Sequence, residues 1–143
     1  MASASTTEIF SCTVDEFYKI ITDYDRYSEF LDEVKGCKIV EKQGDKWLVE
    51  YQVNVIKTFK YSLWMDHSKP GQVSWTFAGG DLFKESKGSW VLQDEAGKCR
   101  AQYTVEAKFS MFVPGPITKG LIAANLPNMI SAYTRRVKEL YGK

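Results

Sequence analysis

PITKGLIAANLPNMISAYTRRVKELY, residues 116–141, decides the fold. Read as a helix, it places Ile122, Leu126, Met129, Ile130, Tyr133, Val137 and Leu140 on one face, with steps of three and four residues. Asn128, Ser131, Arg135, Lys138 and Glu139 fall on the opposite face. At about 25 cal/mol per Å² of apolar surface, leaving such a stripe in water would forgo many kcal/mol. It therefore needs a concave cover. Pro127 interrupts the pattern, because it lacks the N–H that would bond back to Ala123. A kink or break is expected at Asn125 to Pro127, with the part before it acting as a flap or as a packing bend.

The preceding residues supply the cover. From residue 34 the hydrophobic period changes from helical to two. Trp47, Val49, Tyr51, Val53 and Val55 alternate with polar or wetter neighbours, and Phe59, Tyr61, Leu63 and Met65 do the same. So do Val73, Trp75 and Phe77, and later Cys99, Ala101, Tyr103, Val105, Ala107 and Phe109. Strict alternation marks antiparallel strands with one buried face. Turns are expected at Gly44-Asp45, near Ile56-Lys57-Thr58, at Ser68 to Gly71, at Gly79-Gly80 and at Asp94 to Gly97. Phe83 to Gln93 reads as a strand carrying Trp90 and Leu92 on one face, with a bulge at Gly88. Pro114-Gly115-Pro116 ends the sheet and starts the long helix.

Upstream, residues 6–12 read as a first strand. Thr13 and Glu16 form a capping-box pattern, followed by Val14, Phe17, Tyr18 and Ile21 at helical spacing, so a helix is expected over 14–22. Asp23 to Leu31 reads as a turn and a second short helix, with Tyr24, Tyr27 and Leu31 on one face. The order is one strand, two short helices, about six strands and one long helix. Short connections make the sheet a meander. The fold class is α+β: an antiparallel sheet of about seven strands wrapped around the C-terminal helix. The 143 residues favour a single domain over 1–143, with 1–5 as a flexible N-terminus.

Composition narrows the function. There are 4 Trp, 8 Tyr and 8 Phe, a large load of rigid apolar surface. Net charge is +1, from 19 basic and 18 acidic residues, which argues against nucleic acid as a partner. The cysteines Cys12, Cys37 and Cys99 are odd in number and widely spaced, which points to thiols in a reducing compartment and not to a disulfide or zinc framework. The first residues lack a basic and apolar leader pattern. No run is long enough to span a bilayer. A cytoplasmic protein is expected, with at most transient membrane contact.

On the inward faces, Tyr51, Tyr61, Leu63, Trp75, Phe77, Trp90 and Tyr103 face Leu126, Met129, Ile130 and Tyr133 of the helix. These residues either fill a core or line a pocket. A dry core would use more Leu and Ile and fewer rings carrying polar atoms. The set as a whole therefore points to a ligand-binding cavity, with tyrosine hydroxyls to orient a polar end. Catalytic signals are sparse. His67 is the one histidine, at a strand end beside Asp66, and reads as a surface residue. No metal-ligand spacing or nucleotide-binding glycine loop occurs, so neither a metal nor a cofactor is expected. Asp23, Asp25, Glu29, Asp32 and Glu33 read as a solvated acidic face. Arg135, Arg136 and Lys138 read as charges matched to the helix C-terminus.

Three stretches carry a family resemblance: Asp23 to Leu31 (DYDRYSEFL), Gly88 to Leu92 (GSWVL), and Met129 to Tyr133 (MISAY) leading into Leu140-Tyr141-Gly142. Over about residues 6–142 the chain resembles the START-like (SRPBCC, Bet v 1-like) superfamily. It is most similar to the polyketide cyclase/dehydrase branch, which includes coenzyme Q-binding proteins and ribosome-association toxins. It departs from that branch at Ser28 and Asp32, where proline often stands. The resemblance implies a helix-grip fold with a deep apolar cavity. It also implies binding or transport of a hydrophobic small molecule, such as a lipid, an isoprenoid quinone or a polyketide-like compound. Two alternatives are a polyketide cyclase or dehydratase, with Tyr51, Tyr61 or Tyr103 polarising carbonyls, and a ribosome-associated regulator. In the enzymatic case, Glu106 or His67 could serve only if the strand register differed from the one read here. The ligand, the pathway and the oligomeric state are not specified by these residues.

Overall fold

The computed structural model describes residues 2–54, 57–111, 113–115, 118 and 125–142. Seven strands form one antiparallel sheet: β1 (Ala2–Phe10), β2 (Val34–Gln43), β3 (Lys46–Asn54), β4 (Thr58–Asp66), β5 (Gln72–Gly80), β6 (Phe83–Glu95) and β7 (Lys98–Phe109). Their spatial order is β1-β7-β6-β5-β4-β3-β2. Strands two to seven are thus a meander, and β1 closes onto the last of them. Between β1 and β2 lie helix α1 (Val14–Ile21) and a 3₁₀ helix (Tyr24–Glu29). Helix α2 (Leu126–Tyr141) follows the sheet. This is the helix-grip arrangement.

Local chemistry explains the boundaries. Thr13 caps α1 reciprocally: its hydroxyl accepts from the Glu16 N–H at 3.1 Å, and its own N–H donates to the Glu16 carboxylate at 2.9 Å. The β2–β3 hairpin turns at Gly44, whose φ is 59°. The β6–β7 hairpin turns through Ala96 and Gly97, both at positive φ (52° and 84°), the conformation two-residue hairpins need. On β3 to β7, the residues read as inward are the buried ones: Val49, Tyr51, Val53, Phe59, Leu63, Met65, Val73, Trp75, Trp90, Leu92, Cys99, Ala101 and Val105 are each under 10 % exposed.

Several expectations are corrected. Residues 2–5, expected as a flexible start, are the first half of β1. They pair from Ala2 opposite Ala107 to Ser5 opposite Thr104, covering backbone groups that β7 would otherwise leave as a bare edge. Gly79 and Gly80 are not a turn but the end of β5, with Gly80 opposite Tyr61. A Cβ on Gly80 would lie 2.4 Å from the Tyr61 Cα, so the strands can pair there only with glycine. The turn falls on Asp81 and Leu82. It is held by the Lys60 N–H donating to the Asp81 carboxylate at 2.9 Å and the Ser110 hydroxyl donating to the Asp81 carbonyl at 2.6 Å. Gly88 is not a bulge: it pairs regularly with Trp75 and Val105, and the irregularity in β6 lies between Phe83 and Glu85. The expected turn near residue 56 falls between Asn54 and Thr58, with Val55 and Ile56 outside the described residues.

Helix α2 begins at Leu126 with Asn125 as its cap, so Pro127 sits in the first turn, where no intrahelical N–H is required. The expected helical stretch before it, including Ile122 and the proposed flap, lies outside the described residues apart from Thr118. The buried face is rotated slightly from the sequence stripe. Ala132, Tyr133, Arg136 and Val137 are buried, whereas Leu140 is 49 % exposed. Tyr133 packs against Phe17 of α1, Trp90 of β6 and Phe30 after the 3₁₀ helix, with ring centroids 5.7, 5.4 and 5.3 Å away. Burying an aromatic side chain of this kind is worth about 1.5–3 kcal/mol. Arg136, read as a charge matched to the helix end, is instead buried at 9 % exposure. Its guanidinium donates to Glu29 at 3.0 Å and lies over the Phe30 ring. The helix is thereby tied to the 3₁₀ segment by both charge and ring contact.

Candidate ligand cavity

The space between sheet and α2 is a cavity of about 610 Å³. That is within the usual range for a small-molecule site, roughly 300–1,000 Å³. The sheet contributes Tyr51, Val53, Tyr61, Leu63, Met65, Val73, Trp75, Phe83, Ser86, Trp90, Tyr103, Val105 and Phe109. Leu82 joins them from the β5–β6 turn, Leu126, Asn128, Met129 and Tyr133 from α2, and Ile21, Tyr27 and Leu31 from the segment before β2.

Glycine makes part of this room. A Cβ at Gly88 would meet the Trp75 indole and the Thr104 carbonyl, each at 2.4 Å. Trp75 therefore lies flat across the backbone of the neighbouring strand, and its ring forms floor instead of filling space. Tyr103 packs against both Trp75 and Trp90, at 5.8 and 4.8 Å, and Tyr51 stacks on Tyr61 at 5.0 Å. These ring contacts run along the sheet and leave the volume above it unfilled.

The polar atoms differ in their partners. Tyr27 donates to the Ile21 carbonyl, and Tyr51 makes a weak contact to the Met65 sulfur at 3.6 Å. The Tyr61 and Tyr103 hydroxyls have no hydrogen-bond partner among the described residues, although both rings line the cavity. Burial holds both above the ordinary tyrosine value of 10.0. Tyr103 and Cys37 also push Tyr61 up, and the Glu33 carboxylate acts on both Tyr61 and Tyr103. Tyr133 is raised by burial and then by Tyr103, with a smaller contribution from Glu33. At neutral pH these hydroxyls are protonated and able to donate.

Of the eleven side chains proposed from sequence, the structure brings Tyr51, Tyr61, Leu63, Trp75, Trp90, Tyr103, Leu126, Met129 and Tyr133 into the lining. Phe77 and Ile130 are not in it. Phe77 is half-buried near Phe83, at 6.4 Å, and Ile130 is half-buried against the core. The sequence reading missed Glu33, Asn54, Asn125 and Asn128, which bring polar groups to one end of the cavity. From sequence, Glu33 reads as part of a solvated acidic face. That description fits Asp23 and Glu29, which pair with Arg26 in the open. Glu33 instead directly precedes β2, and its side chain accepts from the Asn125 amide at 3.4 Å. Asn128 had been placed on the polar side of α2, but its first-turn position leaves it on the cavity rim.

His67 lies outside the lining. Its Nδ1 donates to the Asp45 carbonyl at 2.9 Å, so its Nε2 accepts from the Tyr24 hydroxyl at 2.8 Å. Glu106 pairs with Lys87 at 3.4 Å on the other face of the sheet. Among the described residues no cluster of His, Cys, Asp and Glu could hold a metal ion, and no helix is long and apolar enough to cross a membrane.

Comparison with known proteins agrees with this geometry. Residues 11–134 match the family model described as polyketide cyclase / dehydrase and lipid transport. Over 149 aligned residues, covering all of both chains, the sequence is 26 % identical to the ribosome association toxin RatA of Vibrio cholerae serotype O1. Among solved structures, a START superfamily protein from Mycobacterium smegmatis superimposes with a TM-score of 0.85 at 20 % identity, covering 96 % of this chain and 98 % of that one. The Zhui aromatase/cyclase from Streptomyces sp. R1128 does so with a TM-score of 0.69 at 15 % identity, covering 96 % and 84 %. At those identities the two structures speak for the fold alone.

Proposed function

The chain belongs to the polyketide cyclase / dehydrase and lipid transport family, and on that premise we propose that it binds or carries a hydrophobic small molecule in the cavity between sheet and helix. The observation that carries this reading is the 610 Å³ volume, walled by Trp75, Trp90, Leu63, Leu126 and Met129, with the Tyr61 and Tyr103 hydroxyls lacking partners among the described residues. No buried side-chain polar atom among the described residues lacks a partner, so these two hydroxyls are reached from the cavity and stay open to a ligand's polar atoms. A ligand with a large apolar body and a few polar atoms matches both features; lipids, isoprenoid quinones and polyketide-like aromatics are of this type. The reading is tested by mass spectrometry of an organic extract of the purified protein. A hydrophobic compound should co-purify with the wild type and be lost from Met129→Trp, in which an indole fills the cavity. An extract equally empty for both proteins would count against the reading.

A second reading, association with ribosomes, is favoured by the full-length similarity to the ribosome association toxin. The net charge of +1 gives it little long-range electrostatic support. Co-sedimentation with ribosomes over a salt series decides it. Binding that weakens as salt rises would support it, and no sedimentation at any salt would exclude it.

A further inference from the structure

Among the described lining residues the cavity carries charge of one sign, and it does so at one end. Glu33 is the only acid among the described lining residues, and no Lys, Arg or His lines the cavity with it. Glu33 is held through both its side chain and its backbone. Its Oε1 accepts from the Asn125 Nδ2 at 3.4 Å, and its backbone carbonyl accepts from the Asn54 N–H at 2.9 Å. Asn125 caps α2, so Glu33 sits beside the helix N-terminus. That end of a helix ordinarily attracts anions, and here the protein's own carboxylate is already there.

We propose that Glu33 makes the cavity selective for amphipathic ligands whose polar end donates hydrogen bonds, an alcohol or a protonated amine, over ligands ending in an ionised carboxylate. The inference rests on the proposed binding of a hydrophobic ligand in this cavity, and names the class. Its physical basis is an asymmetry of partners. A donor head group can give its proton to Glu33 and to the side-chain carbonyls of Asn54, Asn125 or Asn128. An ionised acid placed there meets a like charge, with no cation among the described lining residues to offset it, and in surroundings drier than bulk water. After burial, the Glu33 carboxylate is also among the groups that push the Tyr61, Tyr103 and Tyr133 hydroxyls up.

The test uses three probes of equal chain length, 1-decanol, decylamine and sodium decanoate, at pH 7.5 and below their aggregation concentrations. Binding is read from the fluorescence of Trp75 and Trp90, which line the cavity. The wild type should bind decanol and decylamine at least about tenfold more tightly than decanoate. Glu33→Gln keeps the size and removes the charge. It should weaken decylamine and strengthen decanoate, each by about tenfold, while moving decanol by less than about threefold. A wild type that binds decanoate as tightly as decylamine overturns the inference whatever the variant does. A Glu33→Gln protein with an unchanged amine-to-decanoate ratio also overturns it. Met129→Trp separates the two levels of the argument. If it weakens all three probes, the cavity is the site and the head-group preference is judged on its own. If it weakens none of them, cavity binding itself has failed.

Discussion

Two regions of this molecule are built from the same kinds of residue and end in opposite states. In the packed region, Phe10, Phe17, Phe30, Trp90 and Tyr133 make ring contacts that cross between layers: strand to helix, helix to helix, and 3₁₀ segment to helix. In the hollow region, Tyr61, Phe83, Trp75 and Tyr103 make theirs between strands of one sheet, and Tyr51 stacks on Tyr61 in the same way while also meeting Tyr27 at 6.3 Å. Rings that bridge layers close the space between them. Rings laid along a sheet roof nothing over. Trp90 and Tyr133 belong to both regions, so the cavity wall is braced by the packed side. Aromatic content alone is therefore no guide to whether an interior is full; the direction of the contacts is.

Alkaline titration probes both regions at once. Tyr24 on the packed side, and Tyr27, Tyr61, Tyr103 and Tyr133 around the cavity, are all held above 10.0, with burial as the first cause. The folded state keeps these protons after the unfolded chain would release them. Their contribution is fully present below about pH 10 and is lost as pH rises beyond it. Tyrosinate absorbance near 295 nm should thus grow together with the loss of far-ultraviolet circular dichroism. An ionisation step before unfolding that is missing from the Tyr61→Phe and Tyr103→Phe variants would place these two rings in bulk-like water and dissolve the distinction.

Single substitutions sharpen it. Phe17 is fully buried and touches Phe10, Trp90 and Tyr133. Phe17→Ala should cost about 3–5 kcal/mol in denaturant unfolding. Gly88→Ala forces a methyl group into the Trp75 ring and the Thr104 carbonyl. It should cost about 1–3 kcal/mol and reduce the affinity for any cavity ligand, because Trp75 must rise from the floor. In the hollow region, Tyr61→Phe and Tyr103→Phe should change stability by only about 0.5 kcal/mol, since no protein hydrogen bond is lost, yet should weaken a ligand that accepts from these hydroxyls by a few-fold. A loss of several kcal/mol for either variant would show that the hydroxyl has a structural partner.

Much of the fold was readable because its signals are periodic. The inward faces of β3 to β7 followed alternation, and the α1 cap followed from Thr13 and Glu16. The misplaced features are those for which glycine has two uses. Gly80 and Gly88 permit close approach of another chain segment, and from sequence such glycines look the same as turn or bulge glycines. In the cavity, residues within regular strands were placed more easily than those at element ends. Glu33 precedes a strand, Asn54 ends one, and Asn125 and Asn128 open a helix. Periodicity assigns no face to such positions, so the polar end of the cavity emerged only from the three-dimensional arrangement. Arg136 was missed for a different reason. Its burial depends on Glu29, 107 positions away in the chain, and nothing local announces that pairing.

The four tryptophans report separately on the cavity and on the sheet beyond it. Trp75 and Trp90 line the cavity, whereas Trp47 and Trp64 do not. Their indole N–H signals can be followed separately in ¹⁵N-labelled protein titrated with 1-decanol. The Trp75 and Trp90 signals should shift and saturate together, with Trp47 and Trp64 unmoved. Shifts confined to Trp47 and Trp64, or no saturable shift at any of the four, would contradict a ligand seated between sheet and helix.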